Sequence, residues 1–177
     1  MTKEEKLISK LADKKYVNDV TEKFLKEIKT FQFSLFRKGD PVNYVRERYT
    51  SRGHRFYNKK EAIMKEMNEL FMGQVPEDFK EEFVQLKKES IYYVDISADF
   101  FVKIPKADSV ETVVLKENKI IRPAITPDVD NFVKLLVDTL HNVIFDDDKR
   151  VLSLDVNKYY SINPRTEVKI KIEVIKK

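Results

Sequence analysis

From Ile91 to Ile104 the even-numbered positions Tyr92, Val94, Ile96, Ala98, Phe100, Val102 and Ile104 are apolar, and Asp95, Ser97, Asp99 and Lys103 stand among the residues between them. Successive side chains on a strand point to opposite faces, so this run predicts one long strand with a single buried face. Such a strand needs neighbours in a sheet and a layer of helices over its apolar side. Val168, Ile170, Ile172 and Val174 alternate with Glu167, Lys169, Lys171 and Glu173, and Phe31, Phe33 and Leu35 alternate with Gln32 and Ser34 up to Gly39-Asp40-Pro41. Leu152, Leu154 and Val156 supply a further strand after the turn Asp146-Asp147-Asp148.

Helical spacing fills the gaps between these strands. Ile63, Met67, Leu70 and Phe71 mark a helix over 59–72 that Gly73 is placed to close, and Pro76 opens another short helical piece. A helix from Asp130 to Val143 is expected to bury Val133, Leu136, Val137, Leu140 and Val143, leaving Asp130, Lys134, Asp138 and His141 or Asn142 on the other face. Residues 105–127 contain Pro105, Pro123 and Pro127 without periodicity and read as a loop with a short strand at Thr112 to Leu115. Residues 3–29 read as two amphipathic helices. The first opens with a capping box at Thr2 and Glu5, and the second follows a break near Tyr16 with Asn18 or Asp19 as its cap. The expected fold is α+β, a mixed sheet with helices packed on it, divided into an N-terminal helical extension over 1–28 and one domain over 29–177.

Composition removes several kinds of chemistry. None of the 177 residues is cysteine, which excludes disulfides, thiolate nucleophiles and cysteine zinc sites and leaves oxygen ligands for hard cations. No apolar run is long enough to span a membrane, and the charged start Met1-Thr2-Lys3-Glu4-Glu5-Lys6 is unlike a secretion signal, so a cytoplasmic protein is expected. A net charge of +4 is only mildly basic, but its distribution is uneven. Arg46, Arg48, Arg52, Arg55, Lys59 and Lys60 face a single acid, Glu47, with Tyr49, His54, Phe56 and Tyr57 among them. That mixture of cations and aromatic rings suits phosphate and base contacts.

The acids gather at Asp128, Asp130 and Asp146 to Asp148. If Asp130 caps its helix, the chain turns between Asp128 and Asp130, and both carboxylates converge near the positive helix end. Three aspartates at close range repel unless a divalent cation neutralises them, and magnesium takes carboxylate oxygens while keeping waters that can attack a phosphodiester. An isolated pair of this kind more often serves only to cap a helix, and a triple aspartate is more often a plain turn.

The run Pro127-Asp128-Val129-Asp130-Asn131-Phe132-Val133-Lys134, followed by Leu136 to Val143 and by Asp147-Asp148-Lys149-Arg150-Val151, resembles the RusA family of Holliday junction resolvases. The likeness covers 123–175 strongly and 31–104 more weakly, and residues 1–28 are additional. Arg150 departs from a glutamine common in the family, His141-Asn142 replaces a frequent asparagine-glycine, and the basic run is short. The resemblance implies a magnesium-dependent endodeoxyribonuclease with Asp128, Asp130 and Asp148 as metal ligands and Lys134 as an essential basic residue. It further implies a homodimer that resolves a four-way DNA junction by paired symmetric nicks with 5′-phosphate ends. In that picture Arg46, Arg48, Arg52, Arg55 and Lys59 contact phosphates. The rival readings are a branched-DNA-binding module without catalysis and a protein-interaction adaptor working through its N-terminal helices.

Overall fold

The computed structural model describes residues 2–25, 27–43, 59–141 and 143–176, with the side chains of 59, 60, 86–90 and 176 outside that description. Among the described residues the chain runs α1 (Lys3–Ala12), α2 (Lys14–Leu25), β1 (Ile28–Lys38), α3 (Lys59–Met72), α4 (Glu77–Glu89), β2 (Ser90–Lys103), α5 (Val110–Glu117), α6 (Val129–Leu140), a short 3-10 turn (Asp148–Arg150), β3 (Val151–Ser161) and β4 (Arg165–Lys176). The sheet order is β1-β4-β2-β3. β4 lies antiparallel to both β1 and β2, and β2 runs parallel to β3. This is the α+β arrangement with a mixed sheet that the alternating runs require. The parallel pair needs a long crossover, and α5 and α6 lie within it.

The even positions of β2 are buried from Tyr92 through Phe100, and Val168, Ile170, Ile172 and Val174 of β4 lie beside them. Helices α3, α4 and α6 cover this face in one continuous apolar cluster. A chain of rings fixes α4: Phe79 meets Phe31 at 5.2 Å edge-on and stacks on Phe83 at 5.0 Å, and Phe83 meets Tyr92 at 6.0 Å. At Gly39 the backbone takes φ +98 and donates to Pro164 O at 2.9 Å, a left-handed turn that glycine makes without a Cβ clash.

Four local expectations are corrected. Thr112 to Leu115 is helical, within α5, because the Ser109 hydroxyl caps Thr112 N–H and outweighs the strand preference of the valines at 110, 113 and 114. Pro76 opens a helix of 13 residues, and its carbonyl accepts from Lys80 N–H at 3.1 Å. The break between α1 and α2 falls at Asp13, whose Oδ1 accepts from Lys15 and Tyr16 N–H, so Asp13 and not Asn18 or Asp19 caps α2. The buried arc of α6 is Phe132, Leu135, Leu136, Thr139 and Leu140, rotated from the expected set. Phe132 stacks on Phe100 at 5.0 Å, and a phenyl ring removes more apolar area from water than Val133 does.

The capping box at Thr2 and Glu5 is present in both directions. Neither α1 nor α2 buries a residue, and among the described residues the first buried side chain is that of Phe31. No helix among the described residues is long and apolar enough to cross a membrane.

Candidate active site

The segment before α6 is held down by β3. Lys158 donates from Nζ to Ile125 O at 2.6 Å and to Pro127 O at 3.0 Å, which delivers the chain to Asp128 at a defined place. Asp128 is extended, φ −68 and ψ 155, and its carbonyl accepts the first helical N–H, from Asn131 at 3.2 Å. Asp128 is therefore the cap residue, and Asp130, expected to cap, lies two residues further on in the first turn. An aspartate at this position ordinarily turns its carboxylate back onto the N–H groups of the first turn. Here the Asp128 side chain makes no cap hydrogen bond. Its carboxylate is exposed, beside a helix end whose partial positive charge favours anions. Asp130 is also exposed, and Lys134 one turn on lies 3.5 Å from its Oδ2.

The three consecutive aspartates divide their work. Asp146 points inward, where its Oδ1 accepts the Tyr92 phenol and its N–H donates to the same hydroxyl at 3.1 Å. Arg150 lies over the Tyr92 ring at 4.6 Å and 3.7 Å from Asp146, although its buried Nε completes no hydrogen bond. Burial, and then the bond to Asp146, push the Tyr92 hydroxyl up to about 12. Asp147 accepts from Lys149 N–H and pairs with Lys149 Nζ at 2.7 Å, and those bonds hold its carboxyl below the ordinary carboxylate range. Asp148 is left facing outward, with a side chain 63% exposed and Oδ1 3.4 Å from His141 Nδ1. His141 is the C-cap of α6.

The structure thus brings Asp130 to Lys134 and Asp148 to His141, at opposite ends of a helix of 12 residues. Twelve residues rise about 18 Å along the axis. Among the described residues no three carboxylates or histidines are grouped so as to hold a metal ion. A closed three-ligand cage of Asp128, Asp130 and Asp148 is absent from this arrangement. Magnesium commonly takes one or two carboxylates and completes its shell with water and substrate phosphate, so the oxygen donors of Asp128 and Asp130 are of the kind it takes.

The family model for endodeoxyribonuclease RusA matches residues 38–171, a span that takes in α3 to α6, β2, β3 and the first half of β4. The chain belongs to the RusA endodeoxyribonuclease family. It is also similar to the uncharacterized protein YqaN of Bacillus subtilis (strain 168), with 40% identity over 91 residues, which are 49% of this chain and 64% of that relative. The chain therefore spans under two thirds of the length of the curated relative it matches.

Within the RusA span, Arg46, Arg48, Arg52 and Arg55 lie outside the described residues, and Lys59 is described only in its backbone, at the start of α3. Sequence reasoning passed over Lys158, which positions Asp128, and the pair Tyr92 and Arg150, which orients the turn bearing Asp148. Lys158 reads as one more polar residue of an alternating strand, and Tyr92 as one more apolar residue of another. Only pairing across more than 30 positions gives them roles.

Proposed function

We propose that this chain is a magnesium-dependent endodeoxyribonuclease that acts on four-way DNA junctions in recombination and repair. Membership of the RusA family supports the reaction class, and one local observation supports the site. Asp128 is the cap residue of α6, yet its exposed carboxylate makes no cap hydrogen bond, and two residues on Asp130 pairs with Lys134. With no capping bond to hold it, that side chain is available as a cation ligand.

Asp128 and Asp130 are the metal ligands in this proposal, and Asp148, about a helix length away beside His141, is not one of them. Magnesium held there would neutralise charge on the scissile phosphate and acidify a water molecule. Lys134 turns from Asp130 to the phosphate as charge builds on it. That exchange costs little, because an ion pair whose side chains are 55% and 60% exposed is worth about 0–1 kcal/mol. Arg46, Arg48, Arg52, Arg55 and Lys59 contact the DNA backbone, and a homodimer places two such sites about a dyad to match the symmetry of the junction.

Incubation of an end-labelled four-way junction with the protein and magnesium tests this reading. Paired symmetric nicks are expected from the wild type, and Asp130→Asn should stop cutting while keeping or tightening binding, since one negative charge near phosphate is gone. The distance of Asp148 from the aspartate pair favours one rival, a branched-DNA-binding module without catalysis. Retarded junction with no nicks at any magnesium concentration would establish the rival instead.

A further inference from the structure

The face of the sheet opposite α3, α4 and α6 carries a cluster of cations and rings drawn from four separate segments. Phe101 of β2 and Tyr159 of β3 are partners across the sheet, with ring centroids 5.5 Å apart. Over them lie Arg165 of β4, 3.6 Å from the Phe101 centroid, Lys119 Nζ, 4.2 Å from that of Tyr159, and Arg122, 4.8 Å from that of Tyr159. Arg165 is engaged elsewhere, paired with Glu167 at 2.5 Å and donating to Asn163 O and Ser161 Oγ. Lys119 and Arg122 are exposed. The Arg122 guanidinium, with five N–H donors, gives one hydrogen bond among the described residues, to Asn157 Oδ1 at 3.2 Å.

The backbone at Lys119 adds an independent observation. After α5, Ile120 N–H donates to Leu115 O and Lys119 N–H to Lys116 O, the paired closure in which the residue following the cap adopts a left-handed conformation and glycine is usual. Lysine stands there instead, at φ 63. A side chain with a Cβ at positive φ is strained, and such strain concentrates where a side chain has a task. Here the ammonium is carried onto the Tyr159 ring.

Position ties the cluster to the aspartates. Arg122 bonds to Asn157 on one face of β3, and five residues later Pro127 accepts from Lys158 on the other. Residues 122–127 therefore wrap the outer edge of the sheet and end at Asp128. We propose that Lys119 and Arg122 form a phosphate clamp that grips the DNA backbone of the strand or arm adjoining the one placed at Asp128 and Asp130. The ring of Tyr159 fixes both cations in place, which lowers the entropy lost on gripping a phosphate. This assignment rests on the nuclease reading above.

The test measures junction affinity against salt concentration, with calcium in place of magnesium to hold the complex uncut, for wild type, Lys119→Gly, Arg122→Ala and the double variant. Lys119→Gly removes the ammonium and relieves the left-handed strain, so its melting temperature should equal or exceed that of the wild type. Each single variant should weaken binding several-fold, and the double by about tenfold or more. The log-log salt slope should fall by roughly 0.9 for each cation removed, and Lys119→Arg should restore it. A double variant that binds with wild-type affinity and slope, beside a wild type that binds and cuts, overturns the clamp alone. Weakened binding with an unchanged slope and a lowered melting temperature also overturns it, by showing that the cluster only braces the fold. A wild type that neither binds nor cuts overturns the nuclease reading and the clamp with it.

Discussion

Replacing Asp128 by alanine separates a structural aspartate from a functional one. If the Asp128 carboxylate capped α6, its removal would cost about 1 kcal/mol, within a range of roughly 0.5–2. It makes no such bond, so that contribution is absent. What remains is the attraction of an exposed carboxylate to the helix end, some 0.3–1 kcal/mol at low ionic strength, opposed by repulsion from Asp130 and screened by salt. A net change below about 0.5 kcal/mol is expected, which for a domain of this size lowers the melting temperature by no more than about 2 °C. Ser109→Ala is the matched control. Its hydroxyl does accept from Thr112 N–H, at 3.3 Å, so α5 should lose about 1 kcal/mol and the protein about 2–4 °C. Calorimetry on both variants in 0.15 M salt, with junction cleavage measured on the same preparations, gives the comparison. Asp128→Ala should melt near the wild type and cut at least a hundredfold more slowly, while Ser109→Ala should melt lower and cut normally. A melting point for Asp128→Ala as low as that of the control, with cleavage retained, would refute the reasoning.

Lys134→Gln should leave stability within about 0.5 kcal/mol, because its ion pair is exposed, yet lower the cleavage rate by at least tenfold with little change in binding. Single-turnover kinetics alongside thermal melting check this. Tyr92→Phe should destabilise the fold by about 1–2 kcal/mol through the loss of two hydrogen bonds to Asp146, and it should alter the pH profile as well. The wild-type phenol titrates higher folded, at about 12, than its ordinary 10.0. Its contribution is thus complete below pH 10 and is lost as pH rises toward 12, a decline that Tyr92→Phe should lack in alkaline denaturation curves.

The strands were legible because alternation survives in the sequence when one face of a sheet is buried and the other is wet, as in Tyr92 to Ile104. Helix α5 was not, since its valines favour a strand in isolation and the deciding contact is a single serine cap. The register of α6 was misread for a different reason: its apolar arc is broad, and the stacking of Phe132 on Phe100 sets which part of that arc is buried. The aspartates themselves were visible as residues and as spacing. What the sequence concealed was that Asp128, not Asp130, is the cap residue and that Asp148 lies beside His141 at the far end of the helix. That second placement depends on Tyr92, 54 positions from Asp146 along the chain. The cluster around Tyr159 was equally hidden, because Phe101, Lys119, Arg122 and Arg165 meet only once the sheet is formed.

Anomalous diffraction from crystals of the protein with a four-way junction and manganese would locate the cation itself. A peak is expected about 2.0–2.3 Å from carboxylate oxygens of both Asp128 and Asp130 and in contact with a DNA phosphate, and it should disappear in Asp128→Ala. A peak bound elsewhere, or none while junction DNA occupies the site, would contradict it.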